Sequence, residues 1–296
     1  MSKKKDEKII NEMGVNDLFI DGKEYRDYNN SIKEMLIKTS HGQNKRLVLL
    51  DLCCGRGGDL GKWQNIDPYA KVVGVDTCEN SVNQAIDRYH KVYKKKDRRM
   101  KAYFIKKMDL TEQSAMHDIA LILRRRRLTE LGNFNVVSCQ MALNYFLESE
   151  IVLLNIFEIT SKALKKGGIA CFSFMNGHKI LELLGEETSY MGKGIYLEKL
   201  YNEELSERNM NDYGLMYKIF IADSNNVESY FQMKGMNTEF LTFPETIEWL
   251  IKREKQLRLR YWTPSLSQIP KRSYDFCPRG DDTISSLFSY FYLEKF

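Results

Sequence analysis

A doubly wound α/β sheet with mostly parallel strands is the fold the sequence predicts, on three observations. Apolar, strand-like runs alternate with helix-like stretches from about residue 47 to residue 174, the pattern of parallel strands joined by crossover helices. The first of these runs, Leu47 to Leu50, ends in Asp51 and feeds a turn holding Gly55, Gly57 and Gly58. Polar residues then recur at the carboxyl ends of later strands, Asp76, Asp109 and Gln140, where open α/β sheets hold their ligands.

Taken in order, residues 1 to about 22 are polar with a weak apolar stripe through Ile9, Ile10, Met13 and Leu18. Ile32, Met35 and Leu36 share one face of a helix over 25–38. The motif strand follows, and a helix is expected from about Asp59, aiming its free N–H groups back into the turn. Lys71 to Asp76 reads as a second buried strand, Ser81 to Lys94 as a helix, and Ala102 to Asp109 as a third strand ending in an acid. Phe134 to Gln140 is the fourth strand and Glu150 to Leu164 an amphipathic helix capped by Gly167 and Gly168. Gly168 to Phe174 is the fifth strand. Beyond Asn176 the pattern weakens: a lid or insertion over 185–209, strands over 217–221 and 227–233 joined by a turn, a helix over 243–257, a loop over 261–282 and a final strand over 287–293.

The chain is one domain on this reading. An N-terminal helical arm spans 1–45, a cofactor-binding core 46–176, and an insertion with the C-terminal strands 177–296.

With 43% hydrophobic and 29% charged residues among 296, the composition is that of an ordinary globular chain. Its net charge of +5 is modest but unevenly spread, with dense basic runs at Lys3 to Lys5, Lys94 to Lys101 and Arg124 to Arg127. One such run is most often a solvated helix end, whereas several around a cofactor strand favour a phosphate-rich partner. The cysteines at 53, 54, 78, 139, 171 and 277 form no C-x-x-C pair and have no histidine at zinc spacing, so reduced thiols and no metal site are expected. No apolar run approaches the ~20 residues that span a bilayer. The opening residues lack an apolar targeting core, and a cytoplasmic location without membrane contact is expected.

The turn discriminates between cofactors. A dinucleotide fingerprint requires G-x-G-x-x-G, but Asp59 and Leu60 follow Gly58, so the third glycine is missing. The acid inside the strand end resembles instead motif I of S-adenosylmethionine-dependent methyltransferases, D-x-G-x-G-x-G, with Cys53 in place of its first glycine. That resemblance implies a Rossmann-like core with Asp51 near the methionine amino group.

A narrower resemblance rests on Asn29-Asn30-Ser31-Ile32-Lys33, Asp51 to Leu60, Asp76, Ser81 to Arg88, and Ser138-Cys139-Gln140 with Asn144-Tyr145. In succession these are similar to the motifs of mRNA cap guanine-N7 methyltransferases, N-N-W-x-K, D-L-G-C-G-K-G-G-D-L, S-V-x-x-x-x-x-R-Y and S-C-Q-F-x-x-H-Y. The divergence resembles that of the methyltransferase domain of large DNA virus capping enzymes. Carried over by position, Lys33, Asp51, Cys53, Gly55, Asp76, Asp109, Gln140 and Tyr145 would bind S-adenosylmethionine, leaving S-adenosylhomocysteine as product. Asn29, Asn30, Arg56, Lys62, Arg88, Asn144, Tyr145, Glu228 and Phe288 would bind the cap, with Glu228 on the guanine edge, the cations on the triphosphate and Phe288 stacked on the base. The departures are on the cap side: Asn144 stands for histidine, Met141 for phenylalanine, Ser31 for tryptophan, Met175 for proline and Phe288 for tyrosine.

The implied chemistry needs neither base nor metal, because guanine N7 carries a free lone pair and a sulfonium methyl is already activated. The catalytic residues are then positional, Asp76 and Gln140 for the donor and Tyr145 and Glu228 for the acceptor. A ribose 2′-O-methyltransferase would need a Lys–Asp–Lys–Glu set whose context is missing here. A methyltransferase with another acceptor, and a silent RNA-binding or scaffolding module on the same fold, remain the alternatives. The expected partners are 5′-capped mRNA, together with other capping-enzyme domains or a stimulatory subunit. No K-x-D-G nucleotidyl-lysine motif is present.

Overall fold

The computed structural model describes residues 2–15, 22–42, 46–93, 99–192, 194–201, 213–223, 226–229, 236–263 and 283–296. Two helices, α1 (Ser2–Val15) and α2 (Gly22–His41), lead into the alternating core. That core runs β1 (Val48–Leu52), α3 (Leu60–Ile66), β2 (Lys71–Asp76), α4 (Glu79–Arg88), β3 (Lys101–Lys106), α5 (Ala115–Arg126), β4 (Phe134–Gln140), α6 (Glu150–Ala163) and β5 (Leu164–Met175). Next come α7 (Gly177–Leu184), β6 (Ser189–Gly192), β7 (Ile195–Lys199), β8 (Met216–Asp223), β9 (Asn226–Ser229) and β10 (Asn237–Phe240). Finally α8 (Pro244–Arg253), β11 (Leu257–Thr263), α9 (Thr283–Leu287) and β12 (Phe288–Lys295) close the chain.

The main sheet has the order β11-β12-β5-β4-β1-β2-β3, parallel from β3 through β5, with β12 antiparallel to β5 and β11 antiparallel to β12. Its strand order reverses between β1 and β4, the switch point where such sheets bind ligands. Both faces are covered, as a parallel sheet requires. Ile32, Leu36 and Ile37 of α2 and Trp63 of α3 pack on one face, and Ile119 and Leu123 of α5, Leu153 to Ile159 of α6 and Ile247 to Ile251 of α8 on the other. No helix among the described residues is long and apolar enough to cross a membrane.

The 177–240 region is a second, antiparallel sheet, β10-β8-β7-β6, with β9 folded back on the far end of β8. Its Tyr196 and Phe220 cover Ile9 and Met13 of α1, so the weak N-terminal stripe is a docking face. Leu18 lies outside the described residues.

Several boundaries differ from expectation. β3 stops at Lys106 because Lys107 turns left-handed (φ 58°), which leaves Asp109 three residues past the strand. Gly167 and Gly168 do not cap α6; they lie inside β5, beside the register shift of the β4–β5 pair. The helix over 81–94 is shorter, α4 giving way to a π-helical turn, Tyr89–Tyr93. The helix α5 was not read from the sequence although Ala115, Ile119 and Leu123 stand at helical spacing and are buried, and its Arg124, Arg125 and Arg126 form a solvated last turn, where cations suit the helix dipole. Strand β11 lies where a helix end and a loop were expected; as an edge strand it is defined by its pairing with β12 rather than by its own pattern. Of the run from Lys94, residues 94–98 lie outside the described residues, as does Cys277.

Candidate active site

β1 delivers Asp51 to the switch point one residue before its end, where Asp51 is 3% exposed and registered beside Ser138 of β4. Burial, with Asp59 nearby, pushes its pKa well above the usual carboxylate range, against the pull of Lys33 and of the neighbouring Ser138. Cys53 then turns left-handed at φ 62°. It therefore supplies the backbone conformation for which the motif's glycine is used, despite its side chain.

The turn is held from both sides. Asp76, at the end of β2, accepts from the Gly55 N–H and from the Cys78 N–H, each at 2.8 Å, one with each carboxylate oxygen. Gly57 (φ 67°) packs so closely on α4 that a Cβ would lie 2.9 Å from Leu60 Cδ1 and 3.0 Å from Ala85 Cβ. Gly57→Ala is accordingly expected to cost about 1–3 kcal/mol through overpacking and left-handed strain, read as a lower urea midpoint at unchanged m-value. Arg88 is three residues beyond Ala85 on α4 and exposed, and Arg56 lies half-buried in the turn itself.

A buried ionic clamp joins α2 to the turn. Lys62 pairs ionically with Asp59 at 2.6 Å and donates to Asn30 Oδ1 at 2.9 Å and to the Gly58 carbonyl at 3.3 Å, and Lys33 stands 3.5 Å from Asp59. Burial would raise the Asp59 pKa, but Lys33 and Lys62 outweigh it and hold the acid at about 2. Lys62 is thus 6% exposed and committed within the protein, a correction to its expected place on the cap triphosphate. The same clamp brings Asn29, which is buried, Asn30 and Lys33 beside the turn.

Across the switch point Gln140 ends β4 with its side chain turned onto β5. Its carbonyl accepts from Ser173 Oγ at 2.9 Å and its amide donates to the Cys171 carbonyl at 3.2 Å. Asp109 is exposed, its Oδ1 accepting from the Thr111 N–H and hydroxyl.

The next side chain toward the second sheet is Tyr145. Tyr145 is 37% exposed as a residue, while its hydroxyl pKa is driven up by burial, then by Glu239, Cys53 and Asp76 in that order. The phenol is thus within electrostatic reach of both Glu239 and the turn.

Glu239, on β10, is the residue the sequence reading missed. It is 4% exposed, accepts from the Tyr217 hydroxyl at 2.9 Å and is close enough to Tyr145 for the two groups to influence each other's ionisation. Burial raises its pKa from 4.5 to about 7, against the lowering effect of those two phenols. Glu228 is not at this site: it lies on β9, whose pairing at Ala222 is five β8 residues from the Tyr217–Glu239 pair, about 17 Å along the strand. Its side chain is outside the described residues. A sequence signal for Glu239 did exist, a lone acid before Phe240, Leu241 and Phe243, since buried carboxylates need partners.

Two other cap-side expectations are corrected. Asn144 is 2% exposed; its amide donates to the Met175 and Phe240 carbonyls (2.9 and 3.4 Å) and to Thr242 Oγ1 (3.1 Å), and its carbonyl accepts from the Met175 N–H (2.8 Å). It spends its hydrogen bonds joining β5 to the β10–α8 link and offers none to a base. Asn144→Ala is expected to cost about 2–4 kcal/mol, from bonds worth ~1 kcal/mol each and a stranded Met175 N–H, measured by denaturant unfolding. Phe288 is 1% exposed in the core, opposite Met175 across the β5–β12 pair, and presents no ring face.

The donor set fits an adenosyl sulfonium. Beta carbons added at Gly55 and Gly58 would meet nothing within 4 Å, so the outer face of the turn is open for an extended chain. Asp76 keeps acceptor capacity beyond its two backbone bonds for a ribose diol, Asp109 can accept from an exocyclic amine, and Asp51 with Lys33 can face an amino-acid end.

Residues 23–238 match the family described as the mRNA (guanine-N(7))-methyltransferase domain. Similar proteins include the mRNA cap guanine-N(7) methyltransferases of Drosophila melanogaster, 31% identical over 58% of this chain and 41% of that protein, and of Schizosaccharomyces pombe, 30% identical over 67% and 52%. The chain spans about half the length of these relatives, which are eukaryotic rather than viral. Among solved structures, an S-adenosylmethionine-dependent methyltransferase from Clostridium acetobutylicum superposes with a TM-score of 0.50 at 14% identity, covering 89% of this chain and 90% of that one. A second, described as a putative enzyme of the same class from Listeria monocytogenes, gives 0.51 at 15%, covering 90% and 98%. At such identities the likeness concerns the fold, which is that of the S-adenosylmethionine-dependent methyltransferases.

Proposed function

The chain belongs to the mRNA (guanine-N(7))-methyltransferase family, and from that premise we propose that it transfers a methyl group from S-adenosylmethionine to N7 of the guanine of a 5′ cap. The observation that carries the proposal is Glu239, a buried carboxylate held by Tyr217 and near Tyr145, whose hydroxyl is also within electrostatic reach of Cys53 and Asp76. A carboxylate with free lone pairs accepts from the N1–H and the exocyclic amine of guanine, a donor pair that no other base offers.

When bound, S-adenosylmethionine supplies an electrophilic methyl. Asp76 and the backbone of the turn hold the donor, with Lys33 and Asp51 at its amino-acid end. Glu239 fixes the guanine so that N7 is the atom presented, and Tyr145 is within electrostatic reach of both halves of the site. Rate comes from collinear placement and from a site that accommodates the moving charge, with no proton to remove. Arg56 and Arg88 are the cations on the turn side for the triphosphate bridge. Further capping-enzyme domains or a stimulatory subunit are included in this reading as partners.

The test is transfer of labelled methyl to GpppA, GpppG and triphosphate-ended RNA. Label at guanine N7 of capped ends alone is the expected result. Cofactor binding without transfer would overturn the reading in favour of another acceptor or a silent module.

A further inference from the structure

At the opposite, amino-terminal edge of the parallel strands the chain builds a basic concavity of about 760 Å³. It arises from three neighbouring strands that repeat one device. Each contributes a residue two positions before the strand and the strand's first residue: Arg46 and Val48 for β1, Tyr69 and Lys71 for β2, Arg99 and Lys101 for β3. The register sets Val48 beside Lys71 and Lys71 beside Lys101.

This is an expensive arrangement for a structural surface. Lys71 and Lys101 are direct neighbours on parallel strands, about 4.8 Å apart, and like charges so placed repel. Neither has an acid within ion-pair distance among the described residues. Asp67 accepts from the Leu47 and Tyr69 N–H groups and stands 3.7 Å from Arg46. The two guanidiniums frame an aromatic: Arg46 lies 4.3 Å and Arg99 5.1 Å from the centroid of Tyr69, and Arg99 donates to its hydroxyl at 2.9 Å. Tyr69 is 40% exposed. In sequence, Lys94, Lys95, Lys96 and Arg98 run directly into Arg99.

We propose that this concavity is a second RNA site, which holds the phosphodiester backbone of the transcript downstream of the cap. Arginine forks and clustered lysines around an aromatic are the chemistry of single-strand binding. RNA is favoured over an acidic peptide because a capped transcript is already tethered to this chain at the other edge of the sheet, so even a weak second site acts at high effective concentration. The inference rests on the cap-methyltransferase reading for that tether. β1 is five residues long, about 17 Å. With the turn beyond it, the two sites are some 20–25 Å apart, or about six to seven nucleotides at ~3.4 Å each. Cap-proximal nucleotides do not reach the basic edge; longer transcripts do.

The experiment compares the protein with its Lys71→Gln/Lys101→Gln variant and its Arg46→Ala/Arg99→Ala variant, none of them residues of the catalytic site. Methyl transfer is measured on GpppA and on capped RNAs of 4, 12 and 25 nucleotides, and binding of an uncapped 25-mer by anisotropy across a salt series. The expected result is a KM that falls about tenfold or more between the 4-mer and the 12-mer, a gain lost in both variants while GpppA turnover is unchanged. The slope of log affinity against log salt for the uncapped RNA should also shrink by about 0.7 per phosphate contact removed. A KM independent of length, an unaltered salt slope in the variants, or an acidic phosphopeptide that displaces the uncapped RNA only from the unmutated protein without RNA length affecting KM, would overturn the proposal. Absence of transfer even to GpppA would instead strike the cap reading, and the uncapped-RNA binding series still decides the second site.

Discussion

Replacing Glu239 by Gln is expected to lower kcat/KM on capped substrate by on the order of 10²- to 10⁴-fold, since two charge-assisted hydrogen bonds at about 1.5–3 kcal/mol each are lost. The amide would also turn a donor toward the guanine donors. Binding of S-adenosylhomocysteine, measured by calorimetry, should be unchanged, which separates this loss from damage to the cofactor turn. The pH profile carries the same signature. With burial raising Glu239 to about 7, the accepting carboxylate forms as pH rises through that value, so kcat/KM should climb between pH 6 and pH 8 in the native protein. In the Gln variant it should be flat there.

Stability moves in the opposite direction. A carboxyl at about 7 when folded and near 4.5 when unfolded binds more protons folded. Stability therefore falls as pH rises from about 4.5 through about 7 and is level above it. At 1.36 kcal/mol per unit, ionising this buried acid costs about 3 kcal/mol at pH 8. Glu239→Gln should recover much of that in urea unfolding at pH 8, with little gain at pH 4. A variant that lost activity and stability together at pH 8 would contradict the assignment.

Asp76→Ala is the second large expected effect, at least on the order of 10²-fold in kcat/KM with cofactor binding lost by calorimetry. The carboxylate does two things at once: it accepts from the Gly55 and Cys78 N–H groups, fixing the turn, and it offers its remaining lone pairs outward. Asp76→Asn separates them. The amide oxygen still accepts one of the two backbone bonds, while the nitrogen faces the other N–H and cannot accept from a ribose hydroxyl, so stability should fall by only about 1–3 kcal/mol while cofactor affinity falls further. Equal losses of stability and affinity in the Asn variant would reduce Asp76 to a structural role.

The parallel core and the acids around the glycine turn were legible in the sequence, while the switch point came with the observed strand order. Those signals are local: β2 and β4 are contiguous apolar runs, and Asp51, Gly55 and Asp76 follow their own strands at fixed offsets. What only the tertiary structure decided lies where residues far apart in the chain must meet. Glu239 is buried beside Tyr217 because four-residue β10 registers against β8 and sets it opposite that residue, 22 positions earlier; so short a strand carries almost no periodic signal. Asn144 and Lys62 are polar residues whose sequence neighbours suggest ligand contact, yet the fold surrounds each with internal partners that use its hydrogen bonds. Phe288 was exchanged from platform to core by the β5–β12 pairing, which seals its ring. Local pattern fixes which edge of a sheet faces a ligand, but burial and hydrogen-bond saturation are properties of the packed whole.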